Sequence, residues 1–316
     1  MKQPLLQIGE FPDFMLSLIT AEFEVVRIQE VENDPQLQAT IRGIVTRSNY
    51  CVPEDLVLSL PQLGIIATCG VGYDQIPLSL AYERGIHVTN TPDVLNSAVA
   101  ELTVGSILAL LRQIPQADRF VKGGQWLDQT WPLAQSLAGK HVGIVGLGRI
   151  GKAIANVLQP FGVTLSYFGR TQQKVPFSYY ESIGDLARAS DILILAAPGG
   201  DETRHIVDSE VLAALGDQGY LINIARGSLV DEEALIAALS TRAIAGAALD
   251  VYQQEPKVNP ALFELDNVLL APHMGSATYQ TRHQMVTLVL DNLRRYFAGE
   301  SLLTPVIGSD FSNENR

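Results

Sequence analysis

Read as a string of apolar and polar positions, the chain alternates short apolar runs with stretches of helical spacing. Val142 to Val145 is such a run, uninterrupted in the way of a strand covered on both faces. Lys152 to Leu158 follows with apolar residues at helical intervals, and Val163 to Phe168 forms a second run. Strand, helix and strand in that order predict a βαβ unit with parallel strands. Asp191 to Ala196, Tyr220 to Ile224, Ala245 to Leu249 and Val268 to Leu270 are further runs, each preceded by a helical pattern. Six strands alternating with helices predict a doubly wound sheet. The first hundred residues carry a smaller α/β pattern, with strands expected at Glu24 to Ile28, Gly43 to Val45, Ile65 to Ala67 and His87 to Val88. A long apolar helix from Ala98 leads into a polar segment holding Trp126 and Trp131, for which core packing is the default expectation. A last helix, Thr281 to Ala298, carries the chain back to the first part, and Gly308 to Arg316 reads as a polar tail.

The first apolar run empties directly into a glycine pattern: Gly146-Leu147-Gly148-Arg149-Ile150-Gly151. Each glycine has a mechanical reason. Gly146 permits the tight turn out of the strand, Gly148 lets backbone approach a pyrophosphate, and Gly151 lets the following helix lie close to the sheet with its N-terminus facing the phosphates. The pattern predicts a bound dinucleotide, with Leu147, Arg149 and Ile150 lining it. The second strand ends in Gly169-Arg170-Thr171, without the acid that would hold a ribose 2′-hydroxyl. A guanidinium and a hydroxyl there suit a 2′-phosphate, so NADP(H) is expected in preference to NAD(H), with NAD(H) use still open.

Composition narrows the class. At 316 residues and 47% hydrophobic content, the chain exceeds one core and has ample material for two. The expected fold is α/β, with two Rossmann-like domains built on doubly wound parallel sheets. Residues 1–98 plus 285–316 would form a flavodoxin-like substrate domain, and residues 99–284 the dinucleotide domain. Active sites in this architecture lie at the carboxyl ends of the strands, here in the cleft between domains. A net charge of −12 argues against nucleic acid or an anionic membrane as partner. Cys51 and Cys69 lack metal-type spacing, so no metal is expected and a reducing cytoplasm suits the thiols. Met1-Lys2-Gln3-Pro4 has no signal-peptide character, and the apolar helix near Leu102 to Ile114 is too short for a bilayer.

Three residues beyond the glycine motif stand at expected strand ends. Arg226 follows Tyr220 to Ala225, Glu255 follows Ala248 to Tyr252, and His273 follows Leu269 to Pro272. The order Asn223-Ile224-Ala225-Arg226-Gly227, Leu249-Asp250-Val251 with Glu255-Pro256, and Ala271-Pro272-His273-Met274-Gly275-Ser276-Ala277-Thr278 resembles the D-isomer-specific 2-hydroxyacid dehydrogenases. Gly70-Val71-Gly72-Tyr73-Asp74 and Val88-Thr89-Asn90-Thr91-Pro92 extend the resemblance over nearly the whole chain. Within that family the Arg-Thr at the second strand end is similar to the NADPH-preferring hydroxypyruvate and glyoxylate reductases. The resemblance implies reduction of short 2-keto acids such as glyoxylate and hydroxypyruvate, with the small acid as partner in a homodimer built on the cofactor domain.

The residue types agree with that chemistry. Reducing a 2-keto acid needs a hydride, a proton for the carbonyl oxygen and a cation for the carboxylate. His273 suits the acid, Glu255 would fix its tautomer and favour its protonated form, and Arg226 can fork to substrate oxygens. The resemblance assigns Asp250, Ile224 and Ala225 to the nicotinamide side. It assigns Val71 and Gly72, with Arg226 and His273, to the substrate. Phosphoglycerate dehydrogenase is the alternative within the family, weakened by the chain's end at residue 316 and by the absence of an acid in the cofactor loop. A nicotinamide-sensing corepressor, which shares the fold and the triad, is the alternative from another class.

Overall fold

The computed structural model describes residues 2–32 and 34–306, so the tail at Gly308 to Arg316 lies outside the described residues. Two compact units are present, Met1–Leu95 with Ala277–Arg316 and Asn96–Ser276. The boundaries expected at 98/99 and 284/285 fall within helices, whereas the observed division precedes the helices that begin at Asn96 and Tyr279.

The first unit runs β1 (Pro4–Gln7), α1 (Asp13–Glu22), β2 (Glu24–Arg27), α2 (Ile28–Val31), α3 (Pro35–Gln38), β3 (Gly43–Arg47), α4 (Glu54–Ser59), β4 (Ile65–Cys69), α5 (Leu78–Glu83) and β5 (His87–Thr89). Its five strands are parallel, in the order β2-β1-β3-β4-β5. The sequence reading misses β1, because four residues opening on a proline give periodicity nothing to act on. Leu5 and Leu6 are nonetheless completely buried, and every residue of β4 is buried, so neither strand shows the alternation of a half-exposed sheet.

The second unit continues with α6 (Asn96–Leu111), α7 (Ile114–Lys122), β6 (His141–Val145), α8 (Arg149–Leu158), β7 (Thr164–Phe168), β8 (Ser178–Tyr180), α9 (Ile183–Ala189), β9 (Ile192–Leu195), α10 (Ser209–Leu215), β10 (Tyr220–Asn223), α11 (Glu232–Ser240), β11 (Gly246–Leu249) and β12 (Val268–Leu270). The parallel sheet has seven strands, not six, ordered β12-β11-β10-β9-β6-β7-β8. The extra strand, β8, is a three-residue edge, Ser178-Tyr179-Tyr180, with no buried residue and hence no apolar run to read. Between β11 and β12 the chain makes a short 3-10 turn at Pro260–Glu264 where a helical pattern is expected, because prolines at 256 and 260 break up the segment. Strand order reverses at β6, whose neighbours are β7 on one side and β9 on the other. That reversal leaves a crevice beyond its carboxyl end, the usual ligand position of such sheets.

Helix α12 (Tyr279–Ala298) returns to the first unit and packs against β4. Its buried residues Met285, Val286, Val289, Leu290 and Leu293 form one helical stripe. Thr278 caps its start by accepting from Thr281 N, and Gly299 ends it at φ +72°. Core packing of the tryptophans does not hold: Trp126 is 67% exposed, and Trp131 is half-buried with its ring edge against Phe120. Both stand outside the sheet in the segment after α7, where few apolar side chains can cover them. No single helix among the described residues is long and apolar enough to cross a membrane, though α6 and α7 pass that test as a bent pair by length and composition.

Candidate active site

The glycine turn has the shape its sequence implies. Gly146 sits at φ +94°, where a Cβ would lie 2.7 Å from Ala197 Cα, so both conformation and space demand glycine. A Cβ on Gly151 would collide with Gly146 O, and glycine here lets α8 lie against the turn. At Gly148, the N-cap of α8, a Cβ would meet open space. Gly148 therefore faces room rather than protein at the N-terminus of α8, which fits a pyrophosphate. Leu147 is buried, Ile150 half-buried and Arg149 exposed.

The end of β7 is braced by contacts absent from the sequence reading. The Tyr167 hydroxyl accepts from Gln173 N at 2.6 Å, Gln173 Nε2 donates to Leu147 O at 3.0 Å, and the Tyr179 hydroxyl donates to Gly169 O at 3.2 Å. Gln173 thus ties the loop after β7 to the glycine turn. Arg170 and Thr171 are exposed on that loop.

Arg226, Glu255 and His273 follow β10, β11 and β12, which are consecutive neighbours in the sheet. The turn after β10 is fixed by Asn223, whose Oδ1 accepts from Ala225 N and whose Nδ2 donates to Arg226 O at 2.9 Å. A Cβ on Gly227 would overlap the Tyr252 carbonyl, so glycine alone lets the Arg226 turn press on the segment leading to Glu255. Tyr252 joins the next pair of strand ends, its hydroxyl donating to Ala271 O at 2.8 Å and Leu249 O at 3.2 Å. Ile224 and Ala225 are half-buried beside this turn. Gly227, Asn223 and Tyr252 have no sequence signal beyond the motif they sit in.

Glu255 Oε2 lies 2.6 Å from His273 Nδ1, with both side chains mostly shielded, at 20% and 28% exposure. Burial pushes the Glu255 carboxyl upward, but the hydrogen bond and charge of His273, the Tyr252 amide and the Arg226 charge outweigh it and hold the group below the ordinary carboxylate value. Glu255 is therefore an anion at neutral pH. With Nδ1 turned to Glu255, Nε2 is the ring nitrogen left to serve a substrate.

His273 itself sits at φ +51°, a left-handed conformation rare for its type. Asp250 supports that turn from the end of β11: Oδ1 accepts from Met274 N at 2.7 Å and Oδ2 from Gly275 N at 2.8 Å. Its carboxyl is raised by burial, against the two amides and the His273 charge, which lower it. Both Asp250 oxygens are thus engaged with backbone.

Val71 and Gly72 lie in the first unit, after β4, where Asn90 Nδ2 donates to Val71 O at 2.8 Å and Thr91 N to Gly70 O. Among the described residues no cluster of His, Cys, Asp and Glu suits a metal ion.

Comparison with known proteins gives a consistent picture. Residues 104–275 match the family model described as D-isomer specific 2-hydroxyacid dehydrogenase, NAD binding domain. Glyoxylate/hydroxypyruvate reductase A of Arabidopsis thaliana is 48% identical over 269 residues, 85% of this chain and 86% of the relative. A 2-ketogluconate reductase of Gluconobacter oxydans is 41% identical over 307 residues, 97% of this chain and 99% of the relative. Among solved structures, an NADPH-dependent glyoxylate/hydroxypyruvate reductase from Sinorhizobium meliloti in complex with NADP and malonate superimposes with a TM-score of 0.91 at 42% identity, covering 97% of each chain.

Proposed function

The chain belongs to the D-isomer-specific 2-hydroxyacid dehydrogenase family, and from that membership we propose that it reduces glyoxylate and hydroxypyruvate to their 2-hydroxy acids with NADPH. The observation that carries the reading is the Glu255–His273 pair beside Arg226 on three adjacent strand ends.

The reduced nicotinamide, when bound, supplies a hydride to the keto carbon. Gly146, Gly148 and Gly151 with the α8 N-terminus would hold its pyrophosphate, Arg170 and Thr171 its 2′-phosphate, and Ile224, Ala225 and Asp250 would line the ring side. His273 Nε2 gives a proton to the carbonyl oxygen as that oxygen gains charge, while Glu255 holds the ring through Nδ1 and offsets the imidazolium. Arg226 binds the substrate oxygens as a fork. The Val71 and Gly72 amides take the carboxylate. NADPH is the preferred cofactor, supported by the exposed Arg170-Thr171 end of β7 and by the NADP in the S. meliloti relative; NADH remains usable.

The chain acts as a homodimer through its cofactor unit. Leu127 at 88% exposure, Trp126 and fully exposed Leu133 protrude from the segment after α7. Such an apolar surface calls for a partner. The reducing cytoplasm suits the free thiols of Cys51 and Cys69.

Purified protein mixed with NADPH and either acid is the test. Loss of NADPH absorbance with glyoxylate and hydroxypyruvate is expected. Tight NADPH binding without turnover of any 2-keto acid would overturn the reading in favour of a nicotinamide sensor.

A further inference from the structure

The loop Gly169-Arg170-Thr171-Gln172, which carries the proposed 2′-phosphate contacts, is pinned to the glycine turn at both ends. On the entering side Gly146 N donates to Phe168 O at 2.9 Å, continuing the register in which Val145 of β6 faces Phe168 of β7. On the leaving side Gln173 Nε2 donates to Leu147 O at 3.0 Å. Consecutive residues of the glycine motif thus hold the two ends of the loop.

The two anchors differ in kind. The entering end is held by main chain, with the Tyr179 hydroxyl bracing Gly169 O as well. The leaving end is held through Gln173, whose partners are fixed in the core. Gln173 N donates to the Tyr167 hydroxyl at 2.6 Å, and that hydroxyl donates back to Gln173 O at 3.4 Å. Tyr167 is completely buried and Leu147 is 3% exposed, both in the cluster that joins α6 and α8 to the sheet. Neither can follow the loop if it moves. Between the anchors Arg170, Thr171 and Gln172 are exposed, so the spacing of this segment from the glycine turn depends on its ends.

In NADP(H) the pyrophosphate is carried on the 5′-oxygen and the additional phosphate on the 2′-oxygen of a single ribose. A protein that binds both must hold its two phosphate-binding segments at one separation, whereas NAD(H) offers the second segment only a neutral hydroxyl. Fixing that separation before the ligand arrives removes an ordering cost from binding. We infer that Gln173 is a positioning residue for cofactor selection: its bond to Leu147 O sets the spacing between the glycine turn and Arg170-Thr171, and through it the preference for NADPH over NADH. The inference rests on the cofactor assignment proposed above and adds a residue that acts through the loop, its side-chain amide being engaged with Leu147.

The test is binding, with no 2-keto acid present. Fluorescence titration with NADPH and with NADH gives the ratio of the NADH Kd to the NADPH Kd in wild type, Gln173→Met and Tyr167→Phe. Gln173→Met keeps the length of the side chain and removes its donor; Tyr167→Phe keeps the buried ring and releases the Gln173 amide. Wild type should favour NADPH. The ratio should fall about 3- to 10-fold in each variant, as expected for one neutral hydrogen bond, through weaker NADPH binding with the NADH Kd within about twofold of wild type. Gln173 is only half-buried, so its variant should fold even if Tyr167→Phe does not. A ratio within about twofold of wild type in Gln173→Met would overturn the inference. Equal losses with both cofactors would overturn it too, making Gln173 a support for the glycine turn as a whole. Wild-type preference for NADH would overturn the cofactor assignment it rests on, and tight NADPH binding without turnover of any 2-keto acid would overturn the proposed reaction alone.

Discussion

Asp250 Oδ1 accepts from Met274 N at 2.7 Å, across from β11 to the residue just past His273. The second oxygen takes Gly275 N, so one carboxylate fixes two consecutive amides of the turn that holds His273 at positive φ. Asp250 is thereby a positioning residue for the acid, whatever it also offers a nicotinamide. Replacement by Asn turns one acceptor into a donor facing an amide N–H. Losing a charged hydrogen bond worth about 1.5–3 kcal/mol should lower kcat at least tenfold while the KM for glyoxylate stays within about threefold. Steady-state kinetics check this. A kcat near wild type would mean that the turn holds itself.

His273 is assigned the proton transfer, so His273→Asn should lower kcat by about 10²-fold or more with NADPH affinity nearly unchanged. Fluorescence titration with NADPH separates the two readouts. Turnover within a few-fold of wild type would remove His273 from the chemistry.

Glu255 is held ionised below its ordinary value of 4.5 by His273 and its other neighbours, so its carboxylate stays charged across the neutral range and is neutralised as pH drops through that lowered value. Glu255→Gln removes the negative charge but keeps an acceptor. The acid limb set by the Glu255 carboxyl should then disappear from the reduction profile, and kcat should fall because an anion no longer holds the ring. A limb that stays in place would show that the two side chains act independently.

Much of this site is legible in the sequence because its parts are local. Gly146, Gly148 and Gly151 declare a turn whose steric reasons hold wherever the strand goes, and Arg226, Glu255 and His273 each follow an apolar run long enough to read. What the sequence hides depends on register or on distance along the chain. β1 and β8 are too short for a period, and Trp126 looks like core material until its segment is seen outside the sheet. The Asp250 clasp spans 24 residues, and the collision that forces Gly227 to be glycine involves a carbonyl 25 positions away. Gln7 and Arg47 come to one sheet face only because β1 lies beside β3, which no spacing rule predicts.

Leu127 at 88% exposure and fully exposed Leu133 are the most accessible apolar side chains after α7. If they cover a second copy, Leu127→Asp with Leu133→Asp should convert a dimer to a monomer in analytical ultracentrifugation, because a charge buried in an apolar interface is strongly unfavourable. An unchanged sedimentation coefficient would place the interface elsewhere.

Cofactor choice gives the last and most discriminating prediction. The loop after β7 presents Arg170 and Thr171 to solvent, and Gln173 and Tyr179 anchor its backbone independently of either side chain. Arg170 can therefore be removed without unfolding the loop. Arg170→Ala deletes a charge-assisted hydrogen bond to the 2′-phosphate worth about 1.5–3 kcal/mol, so the KM for NADPH should rise roughly 10- to 150-fold. NADH carries no such phosphate, and its KM should scarcely move. The asymmetry separates the two roles Arg170 can have: equal losses with both cofactors would make it a support for the loop, and a wild-type preference for NADH would sink the assignment of a phosphate site at the end of β7.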